Sequence, residues 1–269
     1  MPKCLMEDQI EGYHRDGCVF PIFLLTRTEA AKLRQMFEGL EATIGGEVQQ
    51  RFRIKAHLPF PWLNDLIRHP TLLDAVEDII GPNILCWGSS FFTKNAHDPR
   101  FVSWHQDSTY YNLKPAETLT AWVAFTDSTI ESGCMRFIRG SDRSGQIRHE
   151  ETFDKKNLLS RGQTITGVDE TKAVDVVLKA GEFSFHSESV IHGSSPNNSG
   201  DRRLGYSIHY IAPHVRQTVF DDASAALVRG KDTYGNWKDD LVPKTDFDPD
   251  CLAALDHFHR QYKSVKQHA

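Results

Sequence analysis

Two residues that commonly bind metals, His105 and Asp107, stand two positions apart in the stretch Trp104-His105-Gln106-Asp107. On an extended strand, side chains two apart point to the same face of a sheet. A histidine and a carboxylate on one face can supply two ligands of a 2-His-1-carboxylate iron site, which leaves other coordination positions open for chemistry. A histidine from a distant strand would complete the site, and we identify it as His192.

Spacing alone does not single out this pair, because a chain with 13 histidines repeats the His-x-acid pattern four times. In chain order the pairs are His14/Asp16, His105/Asp107, His149/Glu151 and His186/Glu188. The first pair lies in a predicted helix, where residues i and i+2 do not share a face. The third pair lies in a charged stretch, which is typical of a solvated loop.

The fourth pair is a serious rival to His105 and Asp107. On an unbroken strand, His186 and Glu188 would share one face with His192 and form a local metal site. Three such ligands and a water molecule would suit zinc, so a zinc hydrolase is one alternative. We place His186 instead in the pocket wall, where it could orient a metal ligand. The residues alone leave this alternative open.

An arginine at the start of a predicted strand, Arg203, follows His192 by eleven positions. Its guanidinium group is a rigid fork that binds a carboxylate through two hydrogen bonds. A co-substrate such as 2-oxoglutarate needs such a partner at its far carboxylate while its keto-acid end chelates a metal. Arg203 alternates with Gly205, Ser207 and His209, on the strand face opposite the apolar residues. We therefore predict that Arg203 binds the co-substrate.

The composition of the 269-residue chain, with 39% hydrophobic and 25% charged residues, is ordinary for one large soluble domain. A net charge of -5 gives no electrostatic reason to expect nucleic-acid binding. No apolar run approaches the roughly 18 residues of a membrane span. Five scattered cysteines without a C-x-x-C pair predict a reducing, cytoplasmic setting. The expected partner is a small-molecule substrate, and a homodimer stays open.

The residue pattern changes from helical to strand-like near residue 84. Before it, Thr26 and Glu29 fit a capping box, and apolar residues at helical spacing predict two helices. After it, short strands separated by glycine-rich turns predict a double-sheet jelly roll. The predicted strands are 84–93, 101–107, 118–126, 134–138, 174–179, 182–186 and 203–211. We predict one domain, with an N-terminal helical region over residues 1–83, a jelly-roll core over 84–215 and a helical tail over 216–269.

Several of these motifs occur together. They are Tyr13-His14-Arg15-Asp16-Gly17, His105-Gln106-Asp107, Trp122, the turn from Gly133 to Ser141, His192-Gly193-Ser194 with Pro196-Asn197, and Arg203. In combination they resemble the phytanoyl-CoA dioxygenase family, from about residue 10 to about residue 215. The resemblance implies a mainly β fold with flanking helices, a cupin-like double-stranded β-helix. It also implies that the cofactors are Fe(II), 2-oxoglutarate as co-substrate and O2.

The same resemblance assigns roles to individual residues. It implies that His105, Asp107 and His192 bind iron and that Arg203 binds 2-oxoglutarate. It also places Gln106, Trp122 and Ser194 near the co-substrate. The implied reaction converts 2-oxoglutarate to succinate and CO2 and hydroxylates an aliphatic C–H bond. Related halogenases carry a small residue in place of the carboxylate, so the presence of Asp107 favours hydroxylation.

The stretches Trp104 to Tyr111 and Asn157 to Gln163 resemble a bacterial subgroup that includes aminoalkylphosphonate hydroxylases. This implies a substrate such as 2-aminoethylphosphonate or its N-trimethyl form, hydroxylated next to phosphorus. A phosphonate needs hydrogen-bond donors, and an ammonium head suits aromatic faces. The predicted donors are Lys94, Asn95, Arg161 and Gln163, and the predicted aromatic faces are Tyr110 and Tyr111.

Two further alternatives stay open, the first within the family and the second from a different class of protein. One is a hydroxylase of an amino acid or a natural-product intermediate. The other is a cupin-like sensor that binds a metal or ligand without catalysis. Such a sensor would need the metal ligands but no partner for a co-substrate carboxylate, so Arg203 argues against it.

Overall fold

A computed structural model of the chain describes residues 2–46, 48–159 and 161–266. Its helices are α1 (Glu7–Asp16), α2 (Arg27–Ile44), α3 (Val48–Arg51), α4 (Pro61–Leu66), α5 (Pro70–Ile80), α6 (Ser108–Tyr111) and α7 (Pro249–Lys266). Its strands are β1 (Cys18–Phe23), β2 (Ile84–Lys94), β3 (Val102–His105), β4 (Leu113–Lys114), β5 (Leu119–Ala124), β6 (Met135–Ile138), β7 (Glu150–Glu151), β8 (Gln163–Thr164), β9 (Ala173–Asp175), β10 (Glu182–Ser187), β11 (His192–Ser194), β12 (Arg203–Ile211), β13 (Arg216–Gln217), β14 (Ser224–Arg229) and β15 (Lys238–Asp239).

Two larger sheets build the fold within the described residues. The major sheet has seven strands in the order β1-β10-β5-β12-β2-β14-β15, and the minor sheet has four in the order β3-β11-β6-β9. All neighbouring strands in them are antiparallel except β14 and β15. The predicted mainly β, double-stranded β-helix fold with flanking helices is confirmed.

The helices of the N-terminal region cover the outer face of the major sheet. The capping box of α2 is confirmed, because Thr26 and Glu29 each bond the other's backbone N–H. Phe37 of this helix is fully buried and lies 4.7 Å from Phe91 of β2, ring centre to ring centre. Burial of such apolar faces fixes α2 and α5 against one face of the major sheet. The other face of the major sheet is therefore directed towards the minor sheet.

Two predicted regional boundaries differ from the structure. β1 lies inside the region that was predicted to be helical. It is an edge strand of the major sheet, so Pro21 removes no hydrogen bond from a central strand. β14 and β15 lie inside the predicted helical tail, and the helix there begins only at Pro249. Residues 267–269 of the predicted tail lie outside the described residues. Among the described helices, none is long and apolar enough to cross a membrane.

Candidate metal centre

The minor sheet brings the three predicted ligands together. His105 ends β3 and His192 begins β11, and the two residues are cross-strand partners. Asp107 no longer belongs to the strand, because its backbone turns into the helical region and starts α6. Its Oδ1 lies 3.4 Å from Nε2 of His105 and 3.8 Å from Nε2 of His192. The ligand atoms of the three residues lie within 4.8 Å of one another, a spacing that suits one metal ion.

The two histidine rings are oriented by the backbone behind them. Nδ1 of His105 lies 2.9 Å from the carbonyl oxygen of Ser103, and Nδ1 of His192 lies 3.0 Å from that of Val190. Because a carbonyl oxygen only accepts hydrogen bonds, each Nδ1 must carry the proton. Each Nε2 therefore presents a lone pair towards Asp107, which is how metal-binding histidines are usually held.

The protonation states also fit a metal. Burial alone would raise the pKa of the Asp107 carboxyl, but His192, His105 and His186 around it hold that pKa well below its usual value. Burial, reinforced by His105, lowers the pKa of His192 well below its usual value. Asp107 therefore offers an ionised carboxylate and His192 a neutral imidazole, the forms that bind a cation.

The rival site does not form. Glu188 turns away from the other two residues, and its Oε1 accepts a hydrogen bond of 3.0 Å from the backbone N–H of Thr118. Burial raises its pKa to about 7. Across residues 2–46, 48–159 and 161–266, the one close group of three ligating residues is His105, Asp107 and His192. His186 lies beside this group, with Nε2 3.8 Å from Oδ2 of Asp107, and lines the same pocket.

Arg203 approaches the same cavity from the major sheet. Its side chain is 1% exposed, donates a hydrogen bond of 2.7 Å to the carbonyl oxygen of Gly133, and lies 5.3 Å above the ring of Trp122. Burial lowers its pKa to about 10. Its Nε has no hydrogen-bond partner among the described residues. A buried cation with an unused donor is costly, so the site suits an anionic ligand.

A second buried basic side chain, that of Lys94, lies opposite Arg203 on the neighbouring strand β2. Its Nζ donates hydrogen bonds to Oγ of Ser194, at 2.7 Å, and to the carbonyl oxygens of Ser195 and Gly133. Burial, followed by the charge of Arg203, lowers its pKa to about 6. Because Oγ of Ser194 accepts from Lys94, its own proton remains available to a ligand in the cavity.

The metal centre and Arg203 line one cavity of about 900 Å³ between the two sheets. Trp122, Ser194, His186, Tyr110 and Tyr111 line it as well. The sequence prediction missed wall residues that come from other segments, and these include Arg51, Arg53, His209, His259 and Tyr262. His209 shares the strand face of Arg203, and that alternation was its signal. His259 and Tyr262 belong to α7, and no sequence signal placed them in the cavity wall. The periodicity of a helix does not show which part of the protein the helix packs against.

Five predicted site residues lie away from this cavity. Gln106 is buried, and its side chain bonds the backbone of Gly145, Ser189 and Ile147 instead of facing a ligand. The predicted phosphonate donors have other partners. Lys94 bonds Ser194, Asn95 accepts from Arg202, and Arg161 pairs with Glu151. Gln163 is buried, and its backbone carbonyl oxygen accepts a hydrogen bond from the hydroxyl of Ser103. None of the five belongs to the described cavity wall.

A jelly roll that carries two histidines and a carboxylate on one face has the architecture of the non-haem Fe(II) oxygenases. A sequence profile of the phytanoyl-CoA dioxygenase family matches residues 13–205, and the chain belongs to this family. The match contains the three ligating residues and Arg203. Residues beyond 205, which supply β14, β15 and α7, lie outside it.

Known relatives agree with this assignment. A phytanoyl-CoA dioxygenase domain-containing protein 1 homolog from Dictyostelium discoideum is 34% identical over 130 residues, 46% of this chain and 45% of that protein. A probable alpha-ketoglutarate-dependent hypophosphite dioxygenase from Stutzerimonas stutzeri is 26% identical over 184 residues, 66% of this chain and 64% of that protein. The chain thus matches about half the length of these curated relatives. The solved structure of apo ThoJ, a non-heme monooxygenase, is 34% identical with a TM-score of 0.85, and the match covers 97% of this chain and 100% of that one.

Proposed function

We propose that this protein is an Fe(II)- and 2-oxoglutarate-dependent dioxygenase that hydroxylates an aliphatic C–H bond of a small-molecule substrate. The observation that carries the proposal is the convergence of two unlike sites on one cavity. β3, β11 and the start of α6 supply three metal ligands, and the major sheet supplies a buried guanidinium with an unused donor. A keto-dicarboxylic acid matches both, because one end chelates a metal and the other carries a carboxylate.

Bound Fe(II), with 2-oxoglutarate and O2, supplies the oxidation of the C–H bond, and the co-substrate leaves as succinate and CO2. In this proposal His105, Asp107 and His192 hold the metal. Arg203 binds the far carboxylate of 2-oxoglutarate, and the free proton of Ser194 adds a second hydrogen bond. The walls of the cavity position the substrate and limit the access of water.

The ring of Trp122 holds Arg203 in place for this role. Gly205 follows Arg203 on the same strand face, and a Cβ there would lie 1.9 Å from the Trp122 ring. Only glycine therefore leaves room for the indole at this position. In this proposal Trp122 acts on the co-substrate through Arg203.

We also propose an aminoalkylphosphonate, such as 2-aminoethylphosphonate or its N-trimethyl form, as the first substrate to test. The resemblance of Trp104 to Tyr111 to that subgroup supports it, and one relative is named for another phosphorus oxyanion, hypophosphite. The donors would differ from those predicted, because Arg51 and Arg53 line the cavity. An amino acid or natural-product hydroxylase is the alternative, since a cavity of about 900 Å³ also admits larger substrates.

Anaerobic addition of Fe(II) and 2-oxoglutarate tests the reaction class. We expect a weak visible charge-transfer band, and succinate formation once O2 is admitted. The Arg203→Met variant should keep the metal but need much more 2-oxoglutarate to develop the band. A protein that binds Fe(II) yet gives neither band nor succinate would contradict the proposal and support a sensor. Candidate substrates are then ranked by how strongly each stimulates 2-oxoglutarate consumption, phosphonates first.

A further inference from the structure

The two oxygens of the Asp107 carboxylate have different surroundings. Oδ1 faces the Nε2 atoms of His105 and His192, at 3.4 Å and 3.8 Å. Oδ2 lies 3.8 Å from Nε2 of His186 and accepts a hydrogen bond of 2.8 Å from the hydroxyl of Tyr111. One oxygen is therefore available to a metal, while the other is occupied by a protein donor.

The local sequence explains this contact. Tyr111 follows Asp107 by four positions, which is about one helical turn, and α6 supplies that turn. A hydrogen bond of 2.8 Å from the backbone N–H of Tyr110 to the carbonyl oxygen of Asp107 tightens it. The tyrosine hydroxyl thus returns to the side chain from which the helix starts.

Other residues hold the Tyr111 hydroxyl in place. The ring of Tyr111 packs edge-on against Trp87, with centroids 4.7 Å apart. The hydroxyl oxygen lies 3.3 Å from Nδ1 of His209, and that nitrogen lies 3.1 Å from Oγ1 of Thr120. His209 and Thr120 belong to adjacent strands of the major sheet, where they are register partners. The rigid sheet therefore fixes the donor that reaches Asp107.

We propose that Tyr111 is a positioning residue that keeps Asp107 a single-oxygen ligand of the metal, an inference that rests on the proposed function. A carboxylate with two free oxygens can bind a cation through both. The second oxygen would then take a position that the keto-acid chelate or O2 needs. The hydrogen bond from Tyr111 opposes this rotation, and it fixes the direction of the bound oxygen. The predicted contact of Tyr111 with a substrate ammonium group stays a prediction, since its ring also lines the cavity.

The neighbouring tyrosine provides a matched control. The Tyr110 hydroxyl is also buried and also belongs to a cavity-wall residue, but it has no hydrogen-bond partner among the described residues. Its ring lies beside His105, with centroids 6.1 Å apart. Tyr110→Phe and Tyr111→Phe each remove one oxygen from adjacent positions, and only the second removes a contact with Asp107.

Metal binding in the absence of turnover tests the inference. Co(II), which has an absorption spectrum sensitive to its ligands, is titrated into the wild-type chain and both variants. We expect the affinity of Tyr111→Phe to fall about 10- to 100-fold, as is typical when an outer partner of a ligand is removed. Tyr110→Phe should keep the wild-type affinity. The anaerobic Fe(II)–2-oxoglutarate band should shift in energy in Tyr111→Phe alone.

The outcomes separate this inference from the proposed function. Wild-type affinity in Tyr111→Phe, equal losses in both variants, or a wild-type chain that binds no Co(II) would overturn the inference. A wild-type chain that binds Co(II) with the expected difference between variants, yet consumes no 2-oxoglutarate, would overturn the proposed function alone. Should Tyr111→Phe fail to fold, His209→Phe provides the second variant, because it removes the nitrogen that holds the hydroxyl. A weaker Co(II) affinity there supports the inference, and an unchanged affinity contradicts it.

Discussion

Asp107 is the residue on which the identity of the site depends, since it distinguishes the observed centre from the rival pair. We expect Asp107→Ala to lose hydroxylation and most metal affinity, because the remaining histidines leave a cation without a charged ligand. Glu188→Gln should keep metal affinity, since Glu188 bonds the backbone of Thr118 instead. Co(II) titration and succinate formation measure both variants. Full turnover by Asp107→Ala would remove this residue from the metal site.

A substitution at Gly205 tests whether the ring of Trp122 holds Arg203 in place. A Cβ at this position would lie 1.9 Å, 2.3 Å and 2.5 Å from three atoms of the Trp122 ring. We expect Gly205→Ala to cost about 1–3 kcal/mol of unfolding free energy through overpacking, and to weaken 2-oxoglutarate binding as the ring moves. Gly200→Ala is the control, since no heavy atom lies within 4 Å of its Cβ. Denaturant unfolding and the charge-transfer titration check both, and equal behaviour of the two variants would refute the packing argument.

The lowered pKa of Lys94 predicts that co-substrate binding depends on pH. Burial and the charge of Arg203 lower its pKa to about 6 in the free protein, so it is largely neutral above that pH. A bound carboxylate favours the charged form and raises that pKa, so binding takes up a proton. The affinity for 2-oxoglutarate should therefore fall as the pH rises from about 6 until it passes the pKa of the complex. Lys94→Met should bind more weakly and flatten this dependence in anaerobic titrations.

For single residues, the sequence predicted the chemical role more fully than the contacts that the side chain makes. Residue type and spacing were enough to propose His105, Asp107, His192 and Arg203, because ligand chemistry restricts which side chains qualify. The contact between Tyr111 and Asp107 escaped prediction because the chain was expected to stay extended to residue 107. In the structure the strand ends at His105. The helical turn that follows brings the hydroxyl of Tyr111 back to the carboxylate of Asp107.

At the level of elements, a buried ion pair joins the segment between α3 and α4 to the segment after β15. Nζ of Lys55 lies 2.7 Å from Oδ2 of Asp240, and the two side chains are 0% and 2% exposed. We expect Asp240→Asn to destabilise the fold by about 3–5 kcal/mol, because it leaves a buried ammonium without its charge partner. Asp222→Asn breaks an exposed pair with Lys238 and should leave the unfolding free energy almost unchanged, because solvent screens such pairs. Chemical denaturation compares the two, and similar losses would contradict the distinction.

Elements with strong periodicity were predicted well, and elements defined by their neighbours were not. Amphipathic spacing gave α2 and α5, and the alternation in β12 matched its observed span from Arg203 to Ile211. β1 and β14 were missed because each lies towards an edge of the major sheet and is only partly buried. In such strands the alternation of apolar and polar residues is weak. They can be recognised only once the sheet to which they pair is known.

For the whole molecule, the major sheet contradicts a division into independent units. Its strands run from β1 at one edge to β14 and β15 at the other, so all three predicted regions contribute to one sheet. The metal centre and the co-substrate site lie between this sheet and the minor one. A change that separates the sheets should therefore affect binding and stability together.

This continuity predicts that a fragment ending at residue 215 does not fold, although it contains the whole family match and every proposed ligand. Its loss of β14 would expose the edge of β2, and its loss of Asp240 would leave Lys55 unpaired in the interior. Cys251 and Leu255 of α7 would also be missing from the main core. We expect the fragment to lack cooperative thermal unfolding and Co(II) binding, whereas the full chain should show one transition. A fragment that melts cooperatively and binds Co(II) would show that the C-terminal strands and helix are an addition to a self-sufficient jelly roll.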